Sequence, residues 1–535
     1  MELKSDSLYF EIHPSRNKPI GYIRNSYRED GKVKHQTISK IHGLSFEQLQ
    51  NMKDAFDGKM IAHDDIKLTD GREYGASALL FALAKKIGLD KIIYSRNEFW
   101  VRNAMAMIIG RIVYQGSKLS LSRITDISCL WEICGVYDEK IDVDKHCYDA
   151  MDELIERQNL IQKKLASKHL ADGSVILYDI TSSYFEGEYN DCEQVAYGYN
   201  RDKKHGKKQI TIGLICTKEG CPVAVEVFSG NTTDCTTVQN KIKEIKETYQ
   251  ISDFVFVGDR GMLTQKNIDN CNDIANITAL THDGIKKLCA KENVQFSLFD
   301  EGAGTEVILP EEPNVRYILR KNPVRQEAEH KTRQSLIVKT EEKLAEIAVP
   351  KRKTDAKTLT FRAAKIFYKY KTEKYFAWEV KDDKIVFSRK NNVILEEEKY
   401  DGLYVIRSNV STELMTKCEI VKAYKSLINV EQAFRNMKSV HLEIRPIFHR
   451  IEDRIKSHVF ICMLSYYLLW HMNTALFDLY NENNKRYTHV HVLEIMKTLQ
   501  KCKLTIADTI INTDTIAKPN DIQSKIQNMV MEYKL

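Results

Sequence analysis

The stretch Ser174-Val-Ile-Leu-Tyr-Asp-Ile and its counterpart Phe254-Val-Phe-Val-Gly-Asp decide the fold. Both are short runs of strand-forming residues, and each carries a carboxylate at or near its end. Carboxylates are poor strand residues, and a charged group at the rim of a buried sheet is costly unless it is paired or metal-bound. Asp179 and Asp259 are therefore read first as candidate functional groups.

Between and after them the pattern is that of an α/β layer. Gln209-Ile-Thr-Ile-Gly-Leu-Ile-Cys-Thr and Cys221-Pro-Val-Ala-Val-Glu-Val-Phe read as strands joined by a turn at Lys218-Glu219-Gly220. Thr233 to Tyr249 has helical spacing, with Val238, Ile242 and Ile245 on one side. Gln265 to Asn272 reads as a helix and Ala275-Asn-Ile-Thr-Ala-Leu as another strand. Strand, strand, strand, helix, strand, helix, strand predicts short hairpins plus crossovers within one sheet.

The remaining chain divides by pattern. Residues 1–65 predict a β-meander with an Asp30-Gly31 turn, and 66–170 a helical region suited to DNA binding or dimerisation. The core occupies 171–282 and resumes at 411–482, where His458 to Met472 reads as a buried helix. Residues 283–410 predict an insertion, largely β in its second half, with basic stretches at Arg316 to Arg333 and Lys351-Arg352-Lys353; Asn392 to Leu395 is among its expected strands. Residues 483–535 predict a helical tail. At 535 residues, 43% hydrophobic and 29% charged, the composition is that of a folded, multidomain chain. The net charge of +6 is too mild to imply nucleic acid by itself. Twelve cysteines without a C-x-x-C pair predict free thiols in a reducing cytoplasm, not a disulfide or zinc framework. No apolar run is long enough to predict a membrane span.

Tyr424 to Lys438, Y-K-S-L-I-N-V-E-Q-A-F-R-N-M-K, predicts one helix. Tyr424, Leu427, Glu431, Arg435 and Lys438 would share an arc of roughly 80°. Val430, Ala433, Phe434 and Met437 form a separate apolar stripe. Such a helix can bury one side and present Glu431 as a third carboxylate; a solvated charged face is the simpler alternative. Three carboxylates, Asp179, Asp259 and Glu431, would make a hard-oxygen site for Mg²⁺ or Mn²⁺, with two ions suited to phosphodiester cleavage or transfer.

Here the chain resembles a bacterial insertion-sequence transposase of the DDE class, of the IS-four type group. That family has an RNase H-like core whose third acid lies in a signature spaced Y-x2-R-x3-E-x6-K. Tyr424, Glu431 and Lys438 fit the spacing, and Leu427 stands in place of the arginine. Tyr178-Asp-Ile-Thr-Ser-Ser-Tyr-Phe-Glu and Val257-Gly-Asp-Arg-Gly-Met resemble the two aspartate motifs, as do Ala196-Tyr-Gly-Tyr-Asn-Arg-Asp-Lys-Lys and Gly230-Asn-Thr-Thr-Asp. The resemblance implies inverted-repeat DNA and target DNA as partners, a homodimer on paired ends, and cleavage with strand transfer. It makes Asp179, Asp259 and Glu431 catalytic metal ligands, and Tyr424 and Lys438 DNA contacts, with Arg435 a candidate for the missing arginine. A nuclease that cuts without joining and a catalytically silent DNA-binding descendant are the rival readings.

Further basic candidates are Arg201, Lys203 and Lys204 in a loop between the first two strands, for phosphate contact or as a solvated tip. Arg260 is a candidate for DNA contact or for an ion pair. Trp378 reads more readily as structural than as a base-stacking group, and His441 and His449 as DNA-facing or structural groups.

Overall fold

A computed structural model describes the chain except residues 1–7, 15–17, 30–31, 59–65, 203, 265–266, 269–273, 292–293, 303, 349–353, 383, 441, 483–486, 507–508 and 535. It divides into two compact units, one of 162–435 and one of 1–161 with 436–535.

The first of these is built on an eight-stranded mixed sheet. Its strands in chain order are β1 (Ser174–Tyr184), β2 (Gln209–Thr217), β3 (Pro222–Ser229), β4 (Phe254–Gly258), β5 (Ala275–Ala279), β6 (Thr305–Leu309), β7 (Glu312–Lys321) and β8 (Leu403–Ser408). Across the sheet they run β6-β7-β8-β5-β4-β1-β2-β3. β1 and β4 pair in parallel, as do β4 and β5, while the flanking pairs are antiparallel. The helix α1 (Asp234–Glu247) makes the crossover from β3 to β4 and buries Val238, Ile242 and Ile245, the side its sequence marked.

The predicted insertion is smaller and more helical than its composition suggested. β6, β7 and β8 lie inside 283–410 yet belong to the main sheet. What leaves the sheet is the helix α2 (Pro323–Ala348), a helix at Ala356–Tyr370, a hairpin of Phe376–Lys381 with Lys384–Arg389, and a helix at Asn391–Glu398. These close on their own core, with Ile337, Leu344, Leu359, Phe367 and Phe376 buried. The helices are hard to see because their apolar faces are narrow: α2 buries only Ile337, Thr340 and Leu344 among charged neighbours. Asn392 to Leu395 is helical, not a strand. Only Ile394 is buried there, and Glu397 gathers Lys286 and Lys374. Trp378 packs on Phe367 at a ring distance of 5.2 Å and so serves this small core. The stretch Lys351-Arg352-Lys353 and most of Gln265 to Asn272 lie outside the described residues.

In the other unit the strands Leu8–His13, Ile20–Glu29 and Lys32–Ile41 lie in order, and a helix at Phe46–Phe56 closes on Phe10, Ile41, Leu49 and Met52; the predicted Asp30-Gly31 turn lies outside the described residues. The helices Gly75–Lys86, Phe99–Val113 and Glu452–Ala475 bury nearly all of their apolar residues. The tail corrects the prediction of helix throughout. Gln500–Ile506 and Thr509–Ile516 are strands that pair with each other, and Gln500–Ile506 also pairs with Ile66–Glu73. β-branched residues supply this strand character. The described cysteines are all free, although Cys418 is exposed. No helix of the described residues is long and apolar enough to cross a membrane.

Two glycines lock the loops beside β2. A Cβ on Gly198 would lie 1.9 Å from the Gly230 carbonyl oxygen, and one on Gly230 would lie 2.0 Å from that of Gln209. The Gln209 side chain completes the lock, donating through Nε2 to the carbonyls of Tyr199 (3.1 Å) and Gly230 (2.8 Å). Backbone atoms cannot yield as a flexible side chain does. Gly198→Ala should therefore destabilise the fold by about 2–3 kcal/mol, measured by denaturant unfolding, whereas Gly261→Ala, with open space around it and no left-handed backbone, should cost under about 1 kcal/mol.

Candidate active site

β1 and β4 are in register from Ser174 with Phe254 to Tyr178 with Gly258. The next residues are Asp179, in the middle of β1, and Asp259, just past the end of β4, so parallel pairing brings two carboxylates level on neighbouring chains, where strands lie about 4.8 Å apart. Hydrophobic pairing along the strands thus sets the separation of the two acids.

The third carboxylate, Glu431, stands on the second of two short helices rather than on one continuous helix. The helix α3 (Lys417–Lys425) starts at a capping box in which Thr416 and Glu419 exchange side-chain and backbone bonds. It ends at Ser426, whose hydroxyl donates to the Ala423 carbonyl at 2.6 Å. The helix α4 (Leu427–Arg435) follows, and Asn436–Val440 is a wide π turn. The uniform 100° arc predicted for Tyr424 to Lys438 is therefore broken twice, because a Ser that bonds back to its own turn competes with helix continuation. α4 packs on β1 through Val430, Ala433 and Phe434. Asn429 fixes it further, donating to the Lys218 carbonyl at 2.7 Å in the β2–β3 turn. Gly220 in that turn has φ +89°, and a Cβ there would meet Asn429 at 2.9 Å. Upstream, buried Arg316 pairs with Glu306 at 2.7 Å and donates to the carbonyls of Val410 (3.0 Å) and Met415 (2.7 Å), tying β7 to the approach to α3.

Asp179, Asp259 and Glu431 line one cavity of about 770 Å³ with Tyr424, Arg201, Arg260 and Arg325. Burial pushes the Asp179 carboxyl up to about 7; the Ile180 backbone opposes this, Asp259 and Glu431 reinforce it, and Arg201 tempers it. Burial, with Asp259 and Glu431 nearby, likewise pushes the Tyr424 phenol up to about 12, against Arg260 and Arg325. The three carboxylates are hard-oxygen donors facing a shared space, and a divalent cation would relieve the repulsion among them. On that chemistry the residues fit such an ion, although among the described residues their oxygens do not already close into a cluster within 4.8 Å.

Arg201 is held by Asp234 at the start of α1, so the two loop motifs meet as an ion pair at the cavity wall. Arg260 is exposed, and its guanidinium forms no ion pair among the described residues; its backbone N–H donates to Asp259 Oδ1 at 2.7 Å. Lys204 is exposed in the loop and Arg435 on the last turn of α4, and neither lines the cavity. Lys438 is buried in the wide turn and falls in the other unit. Lys203 and His441 lie outside the described residues. Leu427, where a cation was expected, is a buried part of the wall. Residue reasoning missed Arg325 and Asp234. Arg325 lay within the Arg316 to Arg333 basic stretch, but charge alone could not distinguish it from Arg316, which is structural.

Residues 170–468 match the family model described as the transposase DDE domain, and the chain belongs to that family. Its domain is therefore that of a transposase. No curated protein matches the chain.

Between the ordinary carboxyl value and about 7, the folded chain holds a proton on Asp179 that the unfolded chain releases. Stability without divalent metal therefore falls as pH rises through that window. Asp179→Asn removes the cost. In chelator it should raise Tm by about 1–3 °C at pH 8 and change it little at pH 4, as read by thermal unfolding.

Proposed function

We propose that the protein is the transposase of its own insertion sequence, of the group with the tyrosine–arginine–glutamate–lysine signature, with an RNase H-like core. It binds terminal inverted repeats, pairs two ends as a homodimer, cuts the DNA strands and joins them to target DNA. The observation that carries the reading is the level placement of Asp179 and Asp259 on parallel strands, with Glu431 lining the same cavity. Two Mg²⁺ or Mn²⁺ ions, when bound, would supply an activated oxygen nucleophile and stabilise the leaving oxygen. Asp179, Asp259 and Glu431 hold those ions. Arg260 and Arg325 face the phosphates at the cavity edge, and the Tyr424 phenol, kept protonated, donates to a phosphate oxygen. Arg201, paired with Asp234, holds the cavity wall beside Asp179 and moderates its charge. Lys203, Lys204, Arg435 and Lys438 extend the proposed DNA contacts beyond the cavity. The presence of all three acids supports catalysis over a silent DNA-binding descendant.

The test is strand transfer on labelled end DNA with Mg²⁺ or Mn²⁺. Asp179→Ala, Asp259→Ala and Glu431→Ala should each reduce cleavage and joining to background, as should chelator, with end binding retained. Undiminished activity in any of the three would sink the assignment, and cutting without joining would favour the nuclease. Arg325→Ala should weaken end-DNA binding about tenfold, the scale of one charge-assisted phosphate contact. If Arg435→Ala produces that loss and Arg325→Ala does not, the missing signature cation lies on α4 instead.

A further inference from the structure

The unit of 1–161 and 436–535 contains a cavity of about 550 Å³ that the proposed chemistry does not use. Lys118 and Arg111 line it, each only 5% exposed. Lys118 Nζ lies 3.2 Å from His458 Nδ1. His458 Nε2 lies 2.9 Å from the Ile444 carbonyl, so the ring proton sits on Nε2 and Nδ1 offers Lys118 a lone pair. A neutral imidazole satisfies one ammonium proton and cancels no charge. Arg111 donates to the carbonyls of Gly116 (2.6 Å) and Glu443, while its Nε has no partner. Among the described residues neither cation forms an ion pair. Asp152, the acid whose charge reaches His449, accepts from Arg454 Nε at 3.1 Å and Nη2 at 2.9 Å.

The neighbouring groups respond to this uncompensated charge. Burial and the Lys118, Arg454 and Arg111 cations push His449 down to about 3, so it is neutral. Burial, with Arg111 nearby, brings Lys118 down only to about 8, so it remains largely charged at neutral pH. Two desolvated cations without a counter-charge are costly, and an anion entering the cavity would remove that cost. The mouth of the cavity adds a second feature. Phe448 lines it and is 65% exposed. A free inorganic anion gains nothing from an exposed ring, whereas a nucleotide offers a phosphate to the cations and a base to the ring.

We propose that this cavity is a nucleic-acid subsite in which Lys118 and Arg111 hold one backbone phosphate of single-stranded DNA and Phe448 stacks on the adjoining base. The choice of DNA rests on the transposase reading; the anion site does not.

The full-length protein is titrated with a labelled single-stranded oligonucleotide over a salt series, and its thermal unfolding is followed with inorganic phosphate. Lys118→Met should weaken binding about tenfold near 0.1 M salt and flatten the salt slope by about 0.7, the value for one phosphate on a single strand. Phe448→Ala should weaken it about tenfold and leave the slope unchanged. Wild-type slope in folded Lys118→Met overturns the phosphate contact. Should that variant not fold, wild-type affinity in Phe448→Ala overturns the proposal, because so exposed a ring is dispensable for folding. Phosphate that stabilises the protein without competing with the oligonucleotide overturns the assignment to DNA. The two readings fail separately. Loss of metal-dependent cleavage with Lys118-dependent binding retained removes the transposase reading alone, and active cleavage with silent Lys118 and Phe448 variants removes this one alone.

Discussion

Parallel pairing of β1 with β4 is the constraint on which the site depends. It is set by apolar residues: Ile176, Leu177 and Tyr178 on one strand, Phe256 and Val257 on the other, all fully buried. A slip of one residue would turn every one of these side chains to the wrong face. The same register leaves Asp179 and Asp259 side by side, so the fold pays for two adjacent carboxylates with the burial that pairs the strands. Natural cores tolerate such a local conflict where a ligand resolves it. Burial chiefly raises the Asp179 carboxyl, and Asp259 beside it adds to that rise.

How much of this was readable depended on how locally each feature is encoded. Asp179 and Asp259 were legible because each interrupts or ends a short apolar run, and the β2–β3 hairpin because Lys218-Glu219-Gly220 supplies its turn. Glu431 was legible as a position on a helix, but the geometry of that helix was not. Ser426 looks harmless in a helical pattern, and only its bond to Ala423 shows that the helix ends and restarts there. The limits of the insertion were hidden for another reason. β7 carries Arg316, Arg320 and Lys321 around its buried Tyr317, Ile318 and Leu319, so a window averaging charge reads it as a surface segment. Pairing with β8, some ninety residues away, puts it in the sheet, and no local pattern records that partner.

Leu427 shows how a missing charge can be supplied from elsewhere. Its side chain faces the same cavity as Glu431 but is needed as wall, with Val430 and Phe434 on the same short helix. Cations reach the space from other elements: Arg260 from the end of β4 and Arg325 from the first turn of α2. The latter is anchored locally, with its N–H donating to Asn322 Oδ1 at 3.1 Å and its guanidinium to Glu329 at 2.7 Å. An arginine so placed couples the inserted helices to the acidic cavity.

The acidic cavity and the basic one obey the same rule with opposite signs. In one, burial and the neighbouring carboxylates raise the proton affinity of Asp179; in the other, burial and the Lys118 and Arg111 cations lower that of His449 and His458. A chain selected for stability alone would pair or replace such groups, since a matched apolar residue usually does as well or better. The pairing partners are available in composition, with 80 basic and 74 acidic residues in the chain, and elsewhere they are used freely, as at Arg316 with Glu306 or Arg333 with Asp401. In the proposed reading each cavity is completed from outside, by divalent cations at the carboxylates and by phosphate at Lys118 and Arg111. A substrate that carries phosphate along its whole length, and reacts only with cations present, meets both requirements.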